Sequence, residues 1–116
     1  MNESILADVK KLIGIAVDNV DFDTDLILAI NAVLFDMWQI GIAADKYSIK
    51  DYSTTWSDVI ANPEKIVIDP LKIWTALKTR MIFDPPTSNV LAEAIRENLK
   101  ELEWRIYITE NYIGEI

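Results

Sequence analysis

The segment that most constrains the fold runs from Arg80 to Ile106, RMIFDPPTSNVLAEAIRENLKELEWRI. Apolar residues recur at helical spacing on both sides of Pro85-Pro86, yet one helix cannot run through two adjacent prolines. Each proline lacks a backbone N–H, and the residue before a proline is pushed out of helical geometry. The pattern predicts a helix that ends at Phe83, a stop at Asp84, Pro85 and Pro86, and a new helix from about Asn89 to Tyr107 capped by Thr87 or Ser88. Leu91, Ala94, Ile95, Leu99, Leu102 and Ile106 hold the period of its apolar face. Glu93, Arg96, Glu97, Lys100, Glu101, Glu103 and Arg105 occupy the other face, with Glu101 and Arg105 in the favoured i, i+4 order. The two helices fold back on each other at this corner, which implies a bundle.

The rest of the chain supplies the other members. A first helix is expected from about Glu3 to Ile13, capped near Asn2 or Ser4, with Ile5, Leu6, Val9, Leu12 and Ile13 on one face and Gly14 just past its end. A second, from about Thr24 to Gly41, presents Leu26, Ile27, Ile30, Val33, Leu34, Met37 and Trp38 on a broad apolar face. Leu28, Phe35 and Ile42 repeat at seven-residue intervals and form a second stripe on it. A helix apolar on two sides is covered on both, so this stripe meets either the following connection or another subunit. The third helix opens at Asp69-Pro70, an N-cap followed by proline, and presents Leu71, Trp74, Leu77, Lys78, Met81 and Ile82. Between the second and third lies AADKYSIKDYSTTWSDVIANPEKIVI, about 26 residues where compact domains usually place far fewer. Thr55-Trp56-Ser57-Asp58 reads as a capping box that opens a short helical segment to about Ala61, closed by Asn62-Pro63, with KIVI as a short extended piece. The expected fold is all-α: a small bundle of about four helices with a long loop between helices two and three and an extended C-terminal tail. Residues 1–106 form the helical domain and residues 107–116 the tail.

Composition narrows what such a bundle does. At 116 residues the chain is one domain with a modest core, yet 51% of it is hydrophobic and it holds four Trp, four Tyr and three Phe. Apolar surface that a small core cannot hide usually goes into a partner. Leu28, Phe35 and Ile42, with Tyr47, Tyr52 and Trp56 from the long connection, are the candidates for subunit contacts. The tail YITENYIGEI contains Tyr107, Ile108, Tyr112, Ile113 and Ile116, too many large groups for an idle end. A net charge of -8 excludes a cationic footprint for nucleic acid. The N-terminal MNESILADVKK lacks the basic-then-apolar order of a signal peptide, and no apolar run approaches the ~20 residues that span a bilayer, so a soluble protein is expected.

Chemistry is sparse. With no Cys and no His, disulfides, thiolate nucleophiles, the usual zinc sites and imidazole catalysis are excluded. Asp21, Asp23 and Asp25 imitate the opening of a calcium-binding EF-hand loop, but the Gly and Glu that loop requires are replaced by Leu26 and Ala32. The alternative is that Asp23 or Thr24 caps the second helix. Glu93, Glu97 and Glu101 share a helix face but lie among Arg96, Lys100 and Arg105, as on a solvated surface rather than a bundle-core metal site. Gly14, Gly41 and Gly114 are isolated and build no phosphate loop. No catalytic residue, cofactor or metal site is indicated.

Several segments together suggest a family. FDPPTS at Phe83–Ser88 and ELEWRI at Glu101–Ile106, with VKKLIGI, DFDTDLILAINAV and YSIKDYSTTWSDVI before them in that order, resemble the small head–tail connector (adaptor, head completion) proteins of long-tailed double-stranded DNA bacteriophages and prophages. The resemblance covers about Ile5 to Ile106. It implies a structural virion protein at the head–tail interface, assembled in the host cytoplasm into a ring of about twelve copies. Such a ring sits under the portal protein, extends the DNA channel and offers a platform to a tail-side connector or stopper protein. DNA passes through without sequence-specific binding, and an acidic lumen would let it slide. Terminal segments commonly grip the portal in such proteins, which would assign that role to Tyr107, Ile108, Tyr112, Ile113 and Ile116. Two alternatives of other classes stay open: a non-catalytic cytosolic helical module that binds another protein, and a carboxylate metal-binding bundle.

Overall fold

Five helices form in the computed structural model, which describes residues 3–62, 64 and 66–111, with side chains described through Ile106. They are α1 (Ile5–Ile13), α2 (Asp23–Gln39), α3 (Trp56–Val59), α4 (Ile68–Phe83) and α5 (Asn89–Asn111). The four long helices are those expected from periodicity, and α3 is the short segment within the long connection. No strand is present among the described residues, only two isolated antiparallel bridges. The all-α bundle is the fold.

Local chemistry explains most helix boundaries. Ser4 is extended and its Oγ accepts the Ala7 N–H at 3.2 Å, so Ser4 is the cap of α1. At the other end Gly14 takes φ 87°, its N–H donates to Lys11 O and the Ile15 N–H to Lys10 O, the paired bonds of a Schellman motif. The same motif ends α2. Gly41 takes φ 87°, its N–H reaches Trp38 O, and the Ile42 N–H reaches Met37 O, both at 3.0 Å. Helix α2 thus stops at Gln39, short of the expected Gly41.

Two starts depart from expectation, and a third selects between two expected caps. Neither Asp23 nor Thr24 caps α2; Phe22 holds the cap position without a side-chain bond, and Asp23 is the first helical residue. Helix α4 begins at Ile68 behind Val67, so Asp69 and Pro70 fall inside the first turn. Proline is harmless there because first-turn N–H groups have no intrahelical acceptor. At α5 the cap is Ser88, whose Oγ accepts the Leu91 N–H at 3.3 Å.

Helix α4 is the central element. It packs against α1, α2 and α5, while the other helices meet one another only slightly. Being covered from several directions, it buries Leu71, Trp74, Thr75, Ala76 and Thr79. Of its expected apolar face, Leu77, Lys78 and Met81 are half-buried and Ile82 is exposed. Lys78 lies over the Trp74 ring and pairs with Asp36 at 3.2 Å and Glu103 at 3.8 Å, tying α4 to α2 and α5. Among the described residues helix α5 meets only α4 closely, so its buried stripe is narrow. Ala92, Ile95 and Ile106 are covered, whereas Leu91 and Ala94 face outward. In α1 the expected Leu12 is likewise exposed, and Lys10 is buried in its stead.

The long connection is core, not a loop laid over it. Ile42, Ala43, Ile49, Trp56, Val59, Ile60 and Ile66 belong to the same buried cluster as α1, α2 and α4. Its backbone is fastened at several points. The Asn31 side chain bonds both backbone groups of Ile49, at 2.7 and 3.2 Å. The Ile5 N–H donates to Thr54 O and the Trp56 N–H to Glu3 O, and a second bridge joins Ala43 to Ile60. The Asp58 carboxylate accepts the Thr55 N–H at 2.9 Å, the reciprocal half of the expected capping box. The segment ends at Val59; Pro63 and Lys65, from its expected closure and from KIVI, lie outside the described residues.

Candidate assembly surface

Helix α2 presents one face that stays uncovered among the described residues. Leu28, Ala32, Phe35 and Gln39 follow helical spacing and all are exposed, Leu28 at 67% and Phe35 at 43%. None of the four is charged, although the chain carries 30 charged side chains, 11 basic and 19 acidic. On the border of this face Asn31 binds Ile49 of the connection. Phe35 leans on Trp38 with ring centroids 5.6 Å apart, and the Lys46 ammonium lies 5.1 Å over the Trp38 ring. These contacts hold the aromatic pair in place and leave its outer edge to solvent.

The other interface candidates divide differently. Ile42 is 3% exposed because the Schellman motif turns it inward toward Met37, off the Leu28–Phe35 stripe. Trp56 is 0% exposed, fully inside the monomer core, with its indole N–H donated to Asp8 Oδ2 at 2.8 Å. Neither is available to a neighbour. Tyr47 is half-buried against the core, and Tyr52 is half-buried with its hydroxyl committed inside the chain. Only Leu28 and Phe35 stay together on an open surface.

Tyr52 leads to the one buried charge among the described side chains, Lys10, which the sequence pattern did not single out. Its ammonium is 0% exposed and donates toward Val17 O (3.1 Å), Asn19 O (2.6 Å), Asp23 Oδ1 (2.7 Å) and Tyr52 Oη (2.7 Å). Three N–H bonds serve four acceptors, so the turn between α1 and α2, the first turn of α2 and the long connection converge on one atom. Burial pushes the lysine pKa down, but hydrogen bonds and charge from Asp23 and Tyr52 outweigh it and hold Lys10 above its ordinary value. Such an ammonium stays protonated and is a clamp, not a base. Asp23, which imitated a calcium ligand in sequence, is its counter-ion. A lysine at a core position of an otherwise apolar helix face was the only available signal.

The remaining sequence candidates are soon placed. Glu93 pairs with Arg96 at 2.7 Å, Glu97 with Lys100 at 3.5 Å, and Glu101 with Arg105, all exposed on the outer side of α5. At the corner, Asp84 ends α4 with its N–H on Arg80 O at 2.8 Å, Pro85 and Pro86 follow, Ser88 caps α5, and Thr87 is exposed. The α5 backbone continues through Tyr107 and Ile108 to Asn111, so the regular helix outlasts its expected end. Tyr112, Ile113 and Ile116 lie outside the described residues. No helix is long and apolar enough to cross a membrane, among the described residues. A family model described as phage connector protein matches residues 5–113. No curated protein and no solved structure matches the chain.

Proposed function

Because this chain belongs to the phage connector protein family, a family of structural virion proteins, we propose that it is the head–tail adaptor of its virion. Copies form a closed ring on the portal protein, continue the DNA channel and present a platform to a tail-side connector or stopper protein. The observation that carries this reading is the uncharged, uncovered stripe of Leu28, Ala32, Phe35 and Gln39 on α2. A large apolar pair held open on a small, strongly charged domain is the composition of an interface core. Ring closure needs a face-to-different-face contact, and the α2 stripe would supply one of the two faces. The acidity suits a channel wall, since a surface of like sign does not retain DNA. Tyr107, Ile108, Tyr112, Ile113 and Ile116 are the proposed grip on the portal, supported by the density of Ile and Tyr in this segment. The test is co-sedimentation with purified DNA-filled heads, with bound copies counted per head. A fixed, saturable number on portal-bearing heads and none on portal-free shells is expected. Equal binding to both would refute a portal-seated adaptor.

A further inference from the structure

At the end of α4 that bears the double proline lies a cleft of about 460 Å³ lined by Ile15, Phe22, Asp25, Phe83 and Asp84. Its floor is apolar. Phe22 and Phe83 meet edge to face with centroids 5.9 Å apart, and Phe22 remains 46% exposed. Its polar groups are of one kind. The Asp25 and Asp84 carboxylates are both exposed, and neither has a hydrogen-bond or ion-pair partner among the described residues. Arg80, one turn before Asp84 and the nearest base in sequence, is not ion-paired with it.

Covalent structure adds to this. The carbonyls of Met81 and Ile82 would next be capped by the N–H groups of residues 85 and 86, but both residues are proline and have none. The carboxyl end of α4 therefore keeps acceptors without donors, at the negative pole of the helix. The opposing positive end of α2 is already offset by Asp23 and Asp25 in its first turn, and the nearby Lys10 ammonium is neutralised internally by Asp23. What remains is an aromatic floor with two unpaired carboxylates, Asp25 and Asp84, on its rim.

We propose that this cleft docks a segment of a partner protein that presents an arginine or lysine beside an apolar side chain. The apolar group covers Phe22 and Phe83, and the cationic head bridges Asp25 and Asp84. A guanidinium suits the site best, since its planar face stacks on an aromatic ring while its N–H groups reach two acceptors. Charge complementarity selects this occupant: an acidic or merely apolar segment would leave both carboxylates desolvated and unpaired. The site shares no residue with the α2 stripe, so it stands or falls apart from ring assembly.

The test is an NMR titration of the full chain with acetyl-leucyl-arginine amide, run beside acetyl-leucyl-citrulline amide as its uncharged counterpart and putrescine as a cation without the apolar group. Saturable shifts of the Phe22 and Phe83 ring resonances with the arginine probe are expected. They should be at least tenfold weaker with citrulline or putrescine, and lost in the Asp25→Asn/Asp84→Asn variant with its circular dichroism unchanged. Absence of a saturable response to the arginine probe, equal binding of either control, or an undiminished response in the double variant would overturn the proposal.

Discussion

Lys10 sets the energetic logic at the scale of single residues. A buried ammonium is tolerated only when its bonds are complete, and removing one member of a buried pair usually costs about 3–5 kcal/mol. Asp23 keeps some contact with solvent, so Lys10→Met is expected at the lower end, about 3 kcal/mol, read from urea midpoints. Its pH dependence has a definite sign. The folded pKa lies above the ordinary lysine value, so the ammonium's contribution is complete below about 10.4 and fades as pH rises through the higher folded value. The gap in midpoint between the native chain and Lys10→Met should be flat from pH 7 to about 10 and narrow beyond it. A gap that stays constant to pH 11.5 would mean that the charge contributes nothing. Position 10 was not legible from the sequence because periodicity marks apolar residues, and the acceptors that make a lysine acceptable come from residues 17, 19, 23 and 52.

Among elements, the corner and the long connection show where pattern reading succeeds and where it stops. Proline chemistry is local, so the break at Asp84-Pro85-Pro86 and the two helices around it were readable directly from the chain. Which hydroxyl caps α5 was not, because Thr87 and Ser88 are adjacent and equally suited by type. The bond from the Leu91 N–H to Ser88 Oγ decides it. Ser88→Ala should lower stability by about 1 kcal/mol and Thr87→Ala by less than about 0.5 kcal/mol, a contrast that thermal melts resolve. The connection was legible only as long and aromatic. Its core role depends on tertiary partners, Asn31 for Ile49, Asp8 for Trp56 and Lys10 for Tyr52, each distant in sequence. Ile42 left the predicted stripe for a related reason, since the left-handed turn at Gly41 redirects the chain. At the other end, Ile106 is the last described side chain and is buried. Deleting the residues after Ile108 should leave the melting temperature nearly unchanged while abolishing co-sedimentation with portal-bearing heads. A substantially lower melting temperature would place those residues in the core.

On the scale of the whole molecule, a central helix flanked by three others leaves large apolar groups exposed, Leu28 and Phe35 on α2 among them, and such surface suits a unit whose contacts repeat from copy to copy. The stripe on α2 was foreseen in part: Leu28 and Phe35 lie where the seven-residue spacing put them. The core claimed the other four interface candidates wholly or in part. The central claim, that this connector joins its neighbours through the α2 stripe, is tested most directly by Phe35→Asp. The substitution lies on an exposed position of a helix surface, so helical circular dichroism and the melting temperature should stay close to those of the native chain. Assembly onto DNA-filled, portal-bearing heads, counted as copies bound per head, should fall at least tenfold. A folded Phe35→Asp protein that loads heads to the native number of copies would contradict the account.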